Sequence, residues 1–117
     1  MNLAIIIGRL GRDPEGRVTN GGKDVCSLRV ATDFKAKGSE VRTEWHDVVV
    51  WDDAARACAE HLTCGRMVAV QGRIQTRSWH NDQGEKKWRT EIIANRVDFL
   101  TGGESRSRER EPSSLPF

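Results

Sequence analysis

The chain has no tyrosine, three cysteines, three prolines and no large excess of either charge. Each scarcity excludes something. Three cysteines, Cys26, Cys58 and Cys64, leave one without a partner, so a complete disulfide framework is ruled out. The longest unbroken apolar run near the start, Leu3 to Ile7, is cut by Gly8 and Arg9 and lacks a basic leader, which argues against a secretory signal. No stretch approaches the roughly 20 apolar residues of a membrane-spanning helix. These features predict a cytoplasmic chain with reduced thiols. Nineteen Lys and Arg against seventeen Asp and Glu give a net charge of +2. Bulk charge therefore points to no partner, and any ligand must be read from where the charges sit.

What is present is tryptophan. With no tyrosine, the aromatic surface falls to four Trp and three Phe in 117 residues. A chain of this length forms one domain, and a core so small seldom needs four indoles. Residues 2–10, "NLAIIIGRL", read as a β-branched strand with a bend at Gly8. A polar connection follows, "GRDPEGRVTNGGKD". Residues 25–32, "VCSLRVAT", form a second strand, and "DFKAKGSEVR" reads as an extended hairpin arm. "TEWHDVVVW" at 43–51 is the third strand. The period then changes in "DDAARACAEHLTCG", where Asp52 or Asp53 caps a short helix, Ala54, Cys58 and Leu62 recur every four residues, and Gly65 supplies a left-handed stop. Residues 66–79 are a fourth strand, "HNDQGEKK" a turn, and 88–100 a fifth strand.

Three strands, one helix and two strands predict an all-β fold with one short helix, a five-stranded Greek-key barrel of the OB type with extended β-hairpin arms. Two parts are expected: residues 1–100 as the folded domain, and residues 101–117 as a flexible tail too poor in apolar groups to pack, ending Leu115-Pro116-Phe117.

Side chains alternate across a strand. In the fourth strand Gln71, Arg73, Gln75, Arg77 and Trp79 therefore share a face that mixes cations with an indole. In the third, Trp45, Asp47, Val49 and Trp51 share one, with the two rings roughly 20 Å apart at the usual strand rise. Separate aromatic platforms among cations suit single-stranded nucleic acid, whose unpaired bases stack on indole and whose phosphates need nearby positive charge. Duplex DNA fits less well, because only base edges are exposed. The candidate stacking residues are Trp45, Trp51, Trp79, Phe34 and Trp88. The candidate phosphate partners are Arg9, Lys35, Lys37, Arg42, Arg73, Arg77, Lys86 and Lys87.

"IIIGRLGRDPE", "LRVAT", "TEWHDVVVW", "GRMVAVQGRIQTRSW" and "RTEIIANRV" together resemble the bacterial single-stranded DNA-binding protein family over nearly all of residues 1–100. The resemblance implies a homotetramer that wraps single-stranded DNA in replication, recombination and repair, associated with the nucleoid. It implies DNA stacking at Trp45 and Trp79, and at Trp51 where the family often has phenylalanine, with Phe34 near a further stacking position. His46 matches a histidine of the subunit interface. Two departures stand out. Asp47 occupies a commonly basic position, and the tail keeps Leu115, Pro116 and Phe117 without the usual acidic run, which leaves recruitment of replication and repair proteins doubtful and suits a phage-encoded or specialised member.

Cys58, His61 and Cys64 are spaced for one side of a helix, but a zinc site needs a fourth ligand, so no metal and no cofactor are expected. "GRLGRDPEG" lacks the Gly-Lys-Ser/Thr ending of a phosphate loop. No nucleophile or carboxylate pair stands in a catalytic context, so no enzyme is expected. The competing reading is an accessory module of a replication complex, of the primosome type, whose exposed aromatics meet protein.

Overall fold

A computed structural model describes residues 1–38 and 40–100; the tail expected at 101–117 lies outside them. In chain order the elements are β1 (Ala4–Leu10), β2 (Glu15–Val18), β3 (Asp24–Lys35), β4 (Val41–Trp51), α1 (Asp52–His61), β5 (Met67–His80) and β6 (Lys86–Phe99). The strand order is β1-β5-β6-β4-β3-β2, and a further pairing of β1 with β3 through Arg9 and Leu10 closes five of the strands into a barrel. β4 and β6 run parallel, and the other pairs are antiparallel. The five-stranded barrel expected from the sequence is present, and the peptide bonds among the described residues are trans.

The strands form because valine and isoleucine alternate with polar groups, leaving one face to bury. Leu28, Val30, Val48, Val50, Val68 and Val70 fill the interior with Leu10 and Cys26, all within 2% of complete burial. Removing one such valine from water contributes about 1.5–2 kcal/mol. α1 packs mainly on β3, with lesser contact to β4 and β2. It does so through Ala55, Cys58 and Leu62.

Three details depart from the sequence reading. β2 lies within the segment read as a connection; all four of its residues are exposed and it joins β3 as an edge strand by backbone pairing. Its side chains carry no apolar alternation that would announce a strand. At the helix, Ala55 is buried rather than Ala54, and the N-cap is Trp51 with no side-chain cap bond, Asp52 and Asp53 lying in the first turn. Asp52 takes a positive φ of 62°. The helix stops at Leu62 in extended conformation, and Gly65 (φ 93°) serves the following turn instead.

The two arms are continuations of barrel strands. β3 and β4 stay paired out to Lys35 and Val41. β5 and β6 stay paired to His80 and Lys86. Burial in β5 ends at Gly72, after which even Ile74 is 48% exposed. At that point the register skips Asn95, a bulge that redirects the hairpin away from the barrel. The turn beyond it is tied by Asn81, whose Oδ1 accepts from the backbone N–H groups of Gln83 and Glu85 at 2.9 Å each.

Candidate nucleic-acid interface

Paired residues in a ladder share a face, so the registers decide which of the candidates meet. Trp51 pairs with Val25, Asp47 with Arg29 and Trp45 with Ala31. Val49 pairs with Ile93 across the parallel junction, and Ile93 with Arg73. Onward along the hairpin, Arg77 pairs with Arg89 and Trp79 with Lys87. Trp45, Trp51, Arg73, Arg77, Trp79 and Lys87 therefore lie on one continuous outer surface. Arg9 pairs with Ala31 and begins on the same side, its guanidinium donating to the Gly65 carbonyl at 3.0 Å.

Other candidates go elsewhere. Trp88 pairs with Ser78 and Lys86 with His80, which puts both on the opposite face of the β5–β6 hairpin. Phe34 pairs with Arg42 on the opposite face of the β3–β4 arm from Trp45. Lys35 and Lys37 are exposed farther out on that arm. The surface around Trp45, Trp51 and Trp79 is thus one tract, and Phe34, Arg42, Lys86 and Trp88 form no part of its plane.

The rings are available. Trp45 is 49% exposed, Trp51 39%, Trp79 38% and Trp88 63%. Each of three carries a cation on one side: Arg29 lies 5.4 Å from the Trp45 centroid, Arg77 5.0 Å from Trp79 and Lys86 5.7 Å from Trp88. Such a contact orients the indole at the surface. Trp45 is also positioned by Gly11, where any Cβ would overlap the indole ring.

Carboxylates organise the arginines. Glu91, buried in β6, accepts from Arg77 Nε at 3.0 Å and Nη2 at 3.3 Å, the forked geometry that suits guanidinium and carboxylate. Asp47 Oδ1 accepts from Arg29 Nη1 at 3.2 Å, and its Oδ2 lies 4.0 Å from Arg89 Nε. Beside them a groove of about 540 Å³ is lined by Trp51, Asp47, Arg17, Arg73, Arg89 and Glu91. Arg29, Arg89, Arg17 and Glu91 escaped the sequence reading. Arg29 was visible as the one cation in "LRVAT", but its neighbour Asp47 is fixed by strand register, which spacing alone does not reveal.

His46 lies away from this surface, half-buried and hydrogen-bonded to Thr32 Oγ1 at 2.8 Å. Cys58 is fully buried, and burial pushes its thiol up to about 12, a proton-bearing group at ordinary pH. His61 and Cys64 are exposed. Cys64 instead ties the loop after α1 to the start of the chain, its N–H donating to Asp13 Oδ1 at 2.8 Å.

Comparison with known proteins bears on the family and the fold. The model of the Single-strand binding protein family matches residues 1–100. Single-stranded DNA-binding protein 1 of Chlorobaculum tepidum is 41% identical over 110 residues, spanning 90% of this chain and 68% of that one. Single-stranded DNA-binding protein 2 of Clostridium acetobutylicum is 35% identical, spanning 99% of this chain and 89% of the relative. Among solved structures, the Plasmodium falciparum SSB complex with ssDNA superposes with a TM-score of 0.77 at 34% identity, covering 86% of this chain and 95% of that one.

Proposed function

Since the chain belongs to the single-strand binding protein family, we propose that it binds single-stranded DNA without catalysing a reaction, tolerating most sequences, by stacking bases on Trp45, Trp51 and Trp79 while Arg9, Arg73, Lys87 and the arm cations Lys35, Lys37 and Arg42 meet phosphates. The observation that carries the mechanism is the single outer tract on which three half-exposed indoles alternate with cations. Phe34, Trp88 and Lys86, on the opposite faces of the two hairpins, extend contact where a strand folds over an arm. The roles follow from sequence tolerance: protection of exposed strands in replication, recombination and repair, in the cytoplasm and at the nucleoid.

The protein acts as a homotetramer. β1 supports this, since Leu3, Ile5 and Ile7 are 51%, 61% and 38% exposed, and β1 pairs with β3 only through Arg9 and Leu10, leaving the edge from Ala4 to Ile7 without a strand partner on that side. An apolar, unpaired edge is a site for adding another strand. His46 contributes at the subunit interface, and Leu115, Pro116 and Phe117 form the segment available to replication and repair proteins.

The test is fluorescence titration with a mixed-sequence single-stranded oligonucleotide. Trp emission falls strongly, and affinity drops steeply as salt rises. Replacing Trp45, Trp51 and Trp79 together by Ala abolishes binding while the thermal transition is retained. Unchanged emission at low salt, or full affinity in the triple variant, overturns the reading; a folded triple variant that has lost only a protein partner would mean an accessory module instead.

A further inference from the structure

Asp47 stands midway along β4 between Trp45 and Trp51, where a strand stacked on both rings must pass. Its side chain is 26% exposed, so the carboxylate is open to the groove beside Trp51. An ionised carboxylate offers about four acceptor positions and no donor. Arg29 takes one at 3.2 Å, and Arg89 at 4.0 Å sits at the edge of contact, so acceptor capacity remains. The second carboxylate on the groove wall differs. Glu91 is 6% exposed and both its oxygens are bonded to Arg77. Glu15, also on the wall, is 65% exposed and 3.9 Å from Arg12, but it stands on the edge strand β2; Asp47 is the carboxylate on β4 itself, between the two rings, that a ligand can address.

The two paired arginines neutralise its charge locally, which lets a nucleotide approach. What then decides the contact is the edge of the base. Guanine presents N1–H and the N2 amine side by side, two parallel donors that match two carboxylate oxygens. Cytosine and adenine present one exocyclic amine each, and Asp accepts from such amines in base readout. Thymine presents a single N–H between two carbonyl oxygens, which face the carboxylate with like partial charge.

We propose that Asp47 is a specificity-determining residue, making the groove beside Trp51 a base-reading subsite that favours guanine and disfavours thymine within otherwise tolerant binding. The inference rests on the proposed DNA-binding reading and adds hydrogen-bond readout to a surface that otherwise works by stacking and charge.

The test compares the full chain and its Asp47→Asn variant on oligonucleotides of about 16 nucleotides. One is all thymine; the other is thymine with guanine at every third position, so that any register places a guanine near the groove. The expected result is that the unaltered chain binds the guanine-bearing strand at least about fivefold more tightly. In Asp47→Asn, affinity for the guanine-bearing strand falls toward that for the all-thymine strand, and the ratio collapses toward one. Stronger stacking of guanine alone would leave the ratio intact in the variant, which overturns the proposal. So does a ratio of one in the unaltered chain. Failure of both strands to bind would instead remove the DNA-binding reading itself, and this inference with it.

Discussion

At the scale of single residues, the outer tract is organised by carboxylates that hold arginines in place. Glu91 and Arg77 are unequal partners: Glu91 is 6% exposed, whereas the Arg77 side chain is 50% exposed. Taking the acid away leaves a guanidinium that water can solvate. Taking the arginine away strands a buried charge, and that costs more. Arg77→Ala is therefore expected to lose about 3 kcal/mol of stability and Glu91→Gln less than about 1 kcal/mol. Equal shifts in the denaturation midpoints of the two variants would contradict this. The same asymmetry explains what the sequence could and could not disclose here. The position of Arg77 on the Trp79 face followed from alternation alone. Its commitment to Glu91, and hence its lesser availability to phosphate, depends on a cross-strand register 14 residues away in sequence, which periodicity leaves undetermined.

At the scale of elements, alternation announced the barrel strands because each has one buried face. β2 was silent because it has none. The helix was legible from its change of period, but its ends were not, since the N-cap has no side-chain bond and Gly65 belongs to the next turn. The exposure of Trp45, Trp51 and Trp79 was legible in their company of charges, whereas the opposite placement of Trp88 and Phe34 needed the pairing. The decisive element is the β5–β6 hairpin, whose direction is fixed at Gly72. A Cβ there would overlap the Ile93 carbonyl and crowd the Ala94 backbone. No flexible side chain can yield to it, so the strands themselves must part. Gly72→Ala is accordingly expected to cost about 1–3 kcal/mol, a fall of roughly 5–20 °C in Tm for a domain of this size. An unchanged Tm, measured at one protein concentration so that association does not intrude, would mean the bulge absorbs the methyl group.

At the scale of the whole molecule, one barrel offers a short tract. With several arginines of the outer face paired to carboxylates, one barrel has few cations free to meet phosphates. Repeating the tract by association multiplies the contacts, since a strand already held by one subunit meets the next at high effective concentration. The apolar residues of β1 are the surface proposed for that association. Ile5 is 61% exposed beside the open edge of that strand, and placing a charge there opposes burial against a second copy without touching the core or the indoles. Ile5→Asp is expected to lower the mass measured by light scattering at micromolar concentration. Its affinity for an oligonucleotide short enough for one barrel should stay within about twofold, whereas its affinity for a strand several times longer should fall at least about tenfold. A variant of reduced mass that still holds long strands as tightly would show that a single barrel suffices. An unaltered chain that is already monomeric would show that β1 is not an assembly surface at all. In either case the Trp45–Trp51–Trp79 tract would stand alone as the binding unit, and its length would have to account for the whole affinity.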